Sequence, residues 1–176
     1  MPFTAKSGKF NASINVVEFG TGDKAVKIGG ENVFPLYSFD AAIENAPKVG
    51  IEITDFGMEH EPECIKKYYE GCATLADMAR KAASMEGVDF LSFRMEGGDP
   101  NGANKSTEEL IGELKEIADA VDLPLVVCGC KNVEKDAELF SKAAEALNGK
   151  NAVILSAKEE NYKTVGAAAG LAYKQI

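Results

Sequence analysis

From residue 49 to the C-terminus the chain repeats one unit four times: an apolar strand, a loop rich in Gly, Asp and Asn, and an amphipathic helix. No other feature of the sequence restricts the fold as much. The strands are expected at residues 49–55, 89–96, 124–130 and 152–156. Strands separated by helices of this length pair in parallel, because parallel neighbours need a crossover connection. Their C-terminal ends then gather on one face, where ligand sites of such folds are built. A complete (β/α)8 barrel takes ~250 residues, and the chain has 176. The expectation is an α/β fold of (β/α)8 TIM-barrel type, present as about four βα units over residues 49–176, with an open α/β sheet as the alternative. Residues 1–48 supply an N-terminal β-hairpin and a connecting segment, the whole forming one structural domain.

The hairpin reading covers residues 11–30. Ile14, Val16 and Phe19 are interleaved with polar residues, Gly20-Thr21-Gly22-Asp23 turns the chain, and residues 25–28 return. Its expected place is the open bottom of the barrel. Residues 32–46 read as irregular, with Phe34, Tyr37 and Phe39 as anchors. In the first parallel strand Val49, Ile51 and Ile53 share one face, and Gly50, Glu52 and Thr54 the other. The second strand sets Leu91, Phe93 and Met95 against Ser92, Arg94 and Glu96. The apolar sets should face the helices and the polar sets the interior. Glu52 and Arg94 then fall on the same face of adjacent strands and should form an ion pair, since a buried charge requires a partner. The last two strands are almost wholly apolar, as burial on both faces demands.

The helices carry clear signals. Leu75, Met78, Ala79 and Ala82 recur at helical spacing, with Gly87 just beyond. Ser106-Thr107-Glu108-Glu109 is a capping box, followed by Leu110, Leu114, Ile117 and Val121. Ala137, Phe140, Ala144 and Leu147 mark the third helix, which ends at Asn148-Gly149. The fourth, around Val165-Gly166-Ala167-Ala168-Ala169-Gly170, has almost no bulk and suits close approach to a neighbour.

Charge and composition narrow the function. The net charge is −9 and no basic patch is interleaved with aromatics, which disfavours nucleic acid. No run of ~18 apolar residues suggests a membrane span. The N-terminus lacks an apolar signal segment, so a cytoplasmic protein is expected. The four cysteines Cys64, Cys72, Cys128 and Cys130 include no C-x-x-C, and His60 is the only histidine. Neither a zinc site nor an iron–sulfur cluster is expected from this set. Reduced thiols in an anaerobic or reducing cytoplasm fit better.

The richest chemistry lies after the second parallel strand, from Arg94 to Ser106. Three glycines allow close backbone approach, Asp99, Asn101 and Asn104 offer donors and acceptors, and the loop opens a helix. The same residues also suit a turn-rich loop that caps its own backbone. Cys128-Gly129-Cys130-Lys131-Asn132 ends the third strand, where a thiolate beside Lys131 would be reactive, yet no histidine is near in sequence to serve as its base. Asn161 and Tyr162, after the fourth strand, either cap a helix or reach a ligand. Residues 55–71 form a long loop of charged and aromatic residues suited to a protein interface. A metal site from His60 with Glu59 and Glu61 is disfavoured, because sequence neighbours point apart.

Four motifs together carry a resemblance. Glu96-Gly97-Gly98-Asp99-Pro100-Asn101-Gly102-Ala103-Asn104, Leu123-Pro124-Leu125-Val126-Val127-Cys128-Gly129-Cys130, Val133-Glu134-Lys135-Asp136 and Glu160-Asn161-Tyr162-Lys163 resemble the small subunit of corrinoid iron–sulfur proteins. That family belongs to the carbon monoxide dehydrogenase/acetyl-CoA synthase system of the reductive acetyl-CoA pathway. The resemblance implies a (β/α)8 barrel paired with a large subunit that carries the iron–sulfur cluster and a corrinoid domain. The small subunit's barrel mouth helps enclose the cobalt corrinoid. The pair passes a methyl group from methyltetrahydrofolate methyltransferase to acetyl-CoA synthase. Asp99, Asn101, Asn104, Gly129 and Asn161 are the implied corrinoid-facing residues, with no catalytic residue and no metal ligand on this chain. The family's small subunit has a second half-barrel, whereas four units are present here; the open edges call for cover by a large subunit or by a second copy in a homodimer. The alternative is a pterin-binding, methyltransferase-like barrel enzyme.

Overall fold

The computed structural model describes residues 11–32 and 43–173, with side chains through residue 170. The expected anchors Phe34, Tyr37 and Phe39 lie outside the described residues. Two short strands, β1 (Val17–Phe19) and β2 (Val26–Ile28), form the antiparallel hairpin, with Phe19 opposite Val26 and Val17 opposite Ile28. A single turn of 3-10 helix at Gly22–Lys24 joins them.

The remaining strands build a four-stranded, wholly parallel sheet in sequential order: β3 (Gly50–Thr54), β4 (Phe90–Arg94), β5 (Leu125–Cys128) and β6 (Val153–Leu155). The architecture is therefore mixed α/β with a parallel sheet, and among the described residues the outer edges of β3 and β6 are unpaired. Each strand is shorter than its apolar run, because the run's last residues leave the ladder to build loops. After β4, Met95 still donates to Cys128 O at 2.9 Å, but Glu96–Gly98 already turns as 3-10 helix. Val49, expected in the core, precedes β3 and is 56% exposed.

The helices are α1 (Glu63–Tyr68), α2 (Leu75–Ala83), α3 (Thr107–Ala120), α4 (Val133–Ala146) and α5 (Tyr162–Tyr173). The six-residue α1 falls inside the long segment read as a loop; it starts directly after Pro62, a residue that tolerates a helix start and not its interior. The complete capping box is at α2, where Thr74 accepts from Asp77 N and Asp77 reaches back to Thr74 N. At α3 Ser106 accepts from Glu109 N at 3.1 Å, half of the box expected there.

Alternation divides the sheet as the side-chain period requires. Ile53, Leu91, Phe93, Met95 and Val127 enter one core with Met78, Leu110, Leu114, Ile117, Leu139 and Phe140 from the helices. On the opposite face Phe19 and Val26 of the hairpin pack with Phe90, Val126, Cys128 and Val153. The Phe19 and Phe90 rings meet edge to face at 5.6 Å. The hairpin thus covers the N-terminal part of β4–β6 on the face without helices. Asn151 clamps it there, donating from its side chain to Gly20 O at 3.1 Å while Gly20 N donates to Asn151 O at 2.8 Å. Among the described residues nothing comparable covers the C-terminal ends of the same strands.

Candidate functional site

Glu52 and Arg94 floor that open end. Arg94 Nε and Nη2 donate to the two Glu52 carboxylate oxygens at 2.9 and 2.7 Å, the ion pair expected from strand alternation. It is not buried as expected, because nothing described covers the strand ends there: the side chains are 27% and 42% exposed.

Three loops rise around this floor, each fixed by a buried group. The first follows β4. Asp55, at the end of β3 with a fully buried side chain, accepts from Gly97 N through both oxygens, at 2.9 and 3.1 Å. A Cβ on Gly97 would run into that carboxylate, which is why the position holds glycine. Lys105 closes the far end, its ammonium 3.1 Å from both Asp55 Oδ2 and Glu113 Oε1. Burial works against the Lys105 ammonium, but its bonds to Asp55 and Glu113 outweigh this and hold its pKa above the ordinary value. Burial pushes the Glu113 carboxyl up, and its second oxygen is shielded with no partner among the described residues. Between these anchors Asp99 accepts from Asn101 N at 2.9 Å and from its side chain at 3.2 Å, a local Asx turn.

The second loop follows β5. Asp136, buried in α4, accepts from Cys130 N at 2.7 Å and from its thiol at 3.3 Å. A Cβ on Gly129 would collide with Asp136. Burial, and to a lesser degree the bond and charge of Asp136, pushes the Cys130 thiol up to about 11. The thiol is therefore protonated near neutrality, an ordinary buried thiol and not a reactive thiolate. The third loop follows β6. Asn161 is buried, accepts from Lys158 N at 2.8 Å and donates to Val133 O at 3.3 Å, so it braces the turn that leads into α5 and ties that turn to α4.

Two adjoining clefts result. The larger, about 310 Å³, is lined by Arg94, Glu96, Asp99, Asn101, Gly129, Cys130, Lys131 and Asn132. The smaller, about 180 Å³, lies between the second and third loops. Of the five residues singled out in the sequence, Asp99, Asn101 and Gly129 line the larger cleft. Asn104, exposed at the loop tip, and Asn161 line neither cleft. Arg94 and Glu96, of the polar set expected to face inward, line the clefts too, and so do Lys131, Asn132 and Lys158, whose only signal in the sequence was position after the C-terminal end of a strand. His60 lies elsewhere, edge to face with Phe56 at 4.9 Å.

The fold is of the mixed α/β class, and its polar cleft lies at the carboxyl ends of the parallel strands, where such folds build ligand sites. Comparison with known sequences is more specific: the chain belongs to the CO dehydrogenase/acetyl-CoA synthase delta subunit family, whose profile matches residues 16–175. It is 33% identical over 156 residues to the acetyl-CoA decarbonylase/synthase complex subunit delta of Methanothermobacter thermautotrophicus, covering 87% of this chain and 40% of that protein. The subunit of the same name from Methanocaldococcus jannaschii is 30% identical over 169 residues, covering 92% and 41%. That from Archaeoglobus fulgidus is 30% identical over 142 residues, covering 78% and 30%. The chain therefore spans well under half the length of these relatives. No helix among the described residues is long and apolar enough to cross a membrane.

Proposed function

We propose that this chain is part of the small, non-catalytic subunit of a corrinoid methyl carrier. The carrier takes a methyl group from methyltetrahydrofolate methyltransferase and delivers it to acetyl-CoA synthase. In this reading the four-stranded sheet is half of a (β/α)8 barrel, and the clefts at its strand ends face a corrinoid held jointly with a large subunit. The bound cobalt corrinoid supplies the methyl-transfer chemistry; this chain orients and shields it.

The observation that carries the reading is the cleft itself. Its lining is a set of hydrogen-bonding groups on loops immobilised by Asp55, Asp136 and Asn161. Such a rim suits the amide-bearing periphery of a corrin ring. It does not suit cobalt ligation, since the larger cleft's lining contains no imidazole and its one thiol is bonded to Asp136. The relatives' names, which place them in an acetyl-CoA decarbonylase/synthase complex, support the same setting.

The test is co-expression with the candidate large subunit, followed by absorbance spectroscopy of the purified complex. Corrinoid absorbance is expected, reduced when Asp99 and Asn101 are both replaced by Ala. An assembled complex whose corrinoid content is untouched by these changes would reduce the loop to a turn. Pterin binding by the isolated chain would favour the methyltransferase-like alternative.

A further inference from the structure

The smaller cleft is lined by charges that are not equivalent. Arg94 is already held by Glu52 through two bonds. Asp136, in the same lining, is buried and accepts from the Cys130 backbone and thiol. Lys131 and Lys158 remain, beside Ser156. Lys158 is anchored, its ammonium donating to Lys131 O at 3.0 Å. The Lys131 ammonium forms no hydrogen bond or ion pair among the described residues, and it borders both clefts.

The backbone adds a second observation. Among the described residues three non-glycines have positive φ: Asn104 at 52°, Asn151 at 50° and Lys131 at 72°. Asparagine adopts this region readily; lysine does not. The turn is set from both sides, by Asp136 holding Cys130 N and by Asn132 accepting from Lys135 N at 3.1 Å. Residue 131 is thus left-handed whatever its side chain, and glycine would sit there without strain. A lysine here costs the fold backbone strain, and no hydrogen bond or ion pair of its side chain among the described residues offsets the loss. Strain of this kind is held where a side chain is needed for something other than stability.

We propose that Lys131 and Lys158 form an anion site for a phosphate mono- or diester, with Lys131 as its principal contact. The one guanidinium that would grip a carboxylate bidentately is engaged by Glu52. What remains are ammonium point charges and a hydroxyl, which suit tetrahedral phosphate oxygens better than a planar carboxylate. The proposal rests on these clefts being the ligand face, as read above, but not on the ligand being a corrinoid. The phosphate could come from a corrinoid's own nucleotide loop or from a free phosphate ester.

The test combines amide NMR titration with inorganic phosphate and thermal denaturation, on the native chain, Lys131→Gly and Lys131→Arg. Saturable shifts at Gly129, Lys131 and Ser156 are expected in the native chain. Lys131→Gly should lose at least tenfold in apparent phosphate affinity while its Tm stays level or rises; Lys131→Arg should keep binding. A native chain with no saturable response, or a Lys131→Gly variant that binds phosphate unchanged, overturns the site. Repeating the comparison on the complex with the large subunit identifies the source. A loss confined to cobalamin, sparing the phosphate-free cobinamide, assigns the corrinoid phosphodiester; equal behaviour of the two assigns a free ester. If neither corrinoid binds, the methyl-carrier reading falls while the phosphate titration still decides the anion site.

Discussion

Two ion-paired sites on this chain differ in depth. Arg94 and Glu52 form a bidentate pair on the open end of the sheet, where water screens them. Arg94→Met should therefore cost about 1 kcal/mol, at the upper end for exposed pairs, well below the cost of stranding a buried charge. Lys105 holds Asp55, whose side chain is fully buried, together with Glu113. Lys105→Met leaves those carboxylates facing each other without a cation and should cost roughly 3–5 kcal/mol. Urea denaturation of the two variants side by side is the check; equal losses would mean that the two sites are equally shielded. Alternation along the strands was enough to pair Glu52 with Arg94. It carried no information on depth, because depth depends on what lies over the strand end. Lys105, eight residues before Glu113 and fifty after Asp55, had no local signature at all.

At the scale of elements, those most readable were the ones whose stabilising contacts are local. Periodicity and caps located α2, α3 and α4, since a helix satisfies its own backbone. The small-residue run of α5 was also legible as a helix, and α5 does pack on α4. Gly166, however, faces open space, so close packing is not what glycine serves there. The hairpin depends on contacts distant in sequence. Its strands are three residues each, too short for independent stability, and Phe19 docks them on Phe90 from more than seventy residues away. Phe19→Ala should cost ~3–5 kcal/mol, as for a buried aromatic, and should raise hydrogen exchange in both hairpin strands before the parallel sheet is affected. A loss below ~1 kcal/mol would show the hairpin to be a surface appendage whose contacts barely matter.

At the scale of the whole molecule, apolar surface among the described residues stays exposed. Leu155 at the edge strand is 50% exposed. The hairpin pair Val17 and Ile28, on the same face as the buried Phe19 and Val26, is 41% and 40% exposed. Together with the edges of β3 and β6, these surfaces normally find a cover. Light scattering on the purified chain at micromolar concentration is expected to show a dimer, since a two-fold axis along the strands would pair each β6 edge with the other copy's β3 edge. With the large subunit present, a mixed complex is expected instead. A compact, cooperative monomer would show that these edges are protected internally, and would count against the half-barrel. By itself the sequence determined the order of the parallel strands and of the four longer helices, the parallel pairing, the inward and outward faces, and the loops that meet at one end. All of these follow from periodicity and from local backbone chemistry. Only the tertiary structure decided which groups line the clefts, that Cys130 is a buried thiol beside Asp136, and that Asn161 is buried against Val133 of the neighbouring helix. Those outcomes depend on what packs against a residue from a distant part of the chain, and side-chain spacing along one segment contains no term for that.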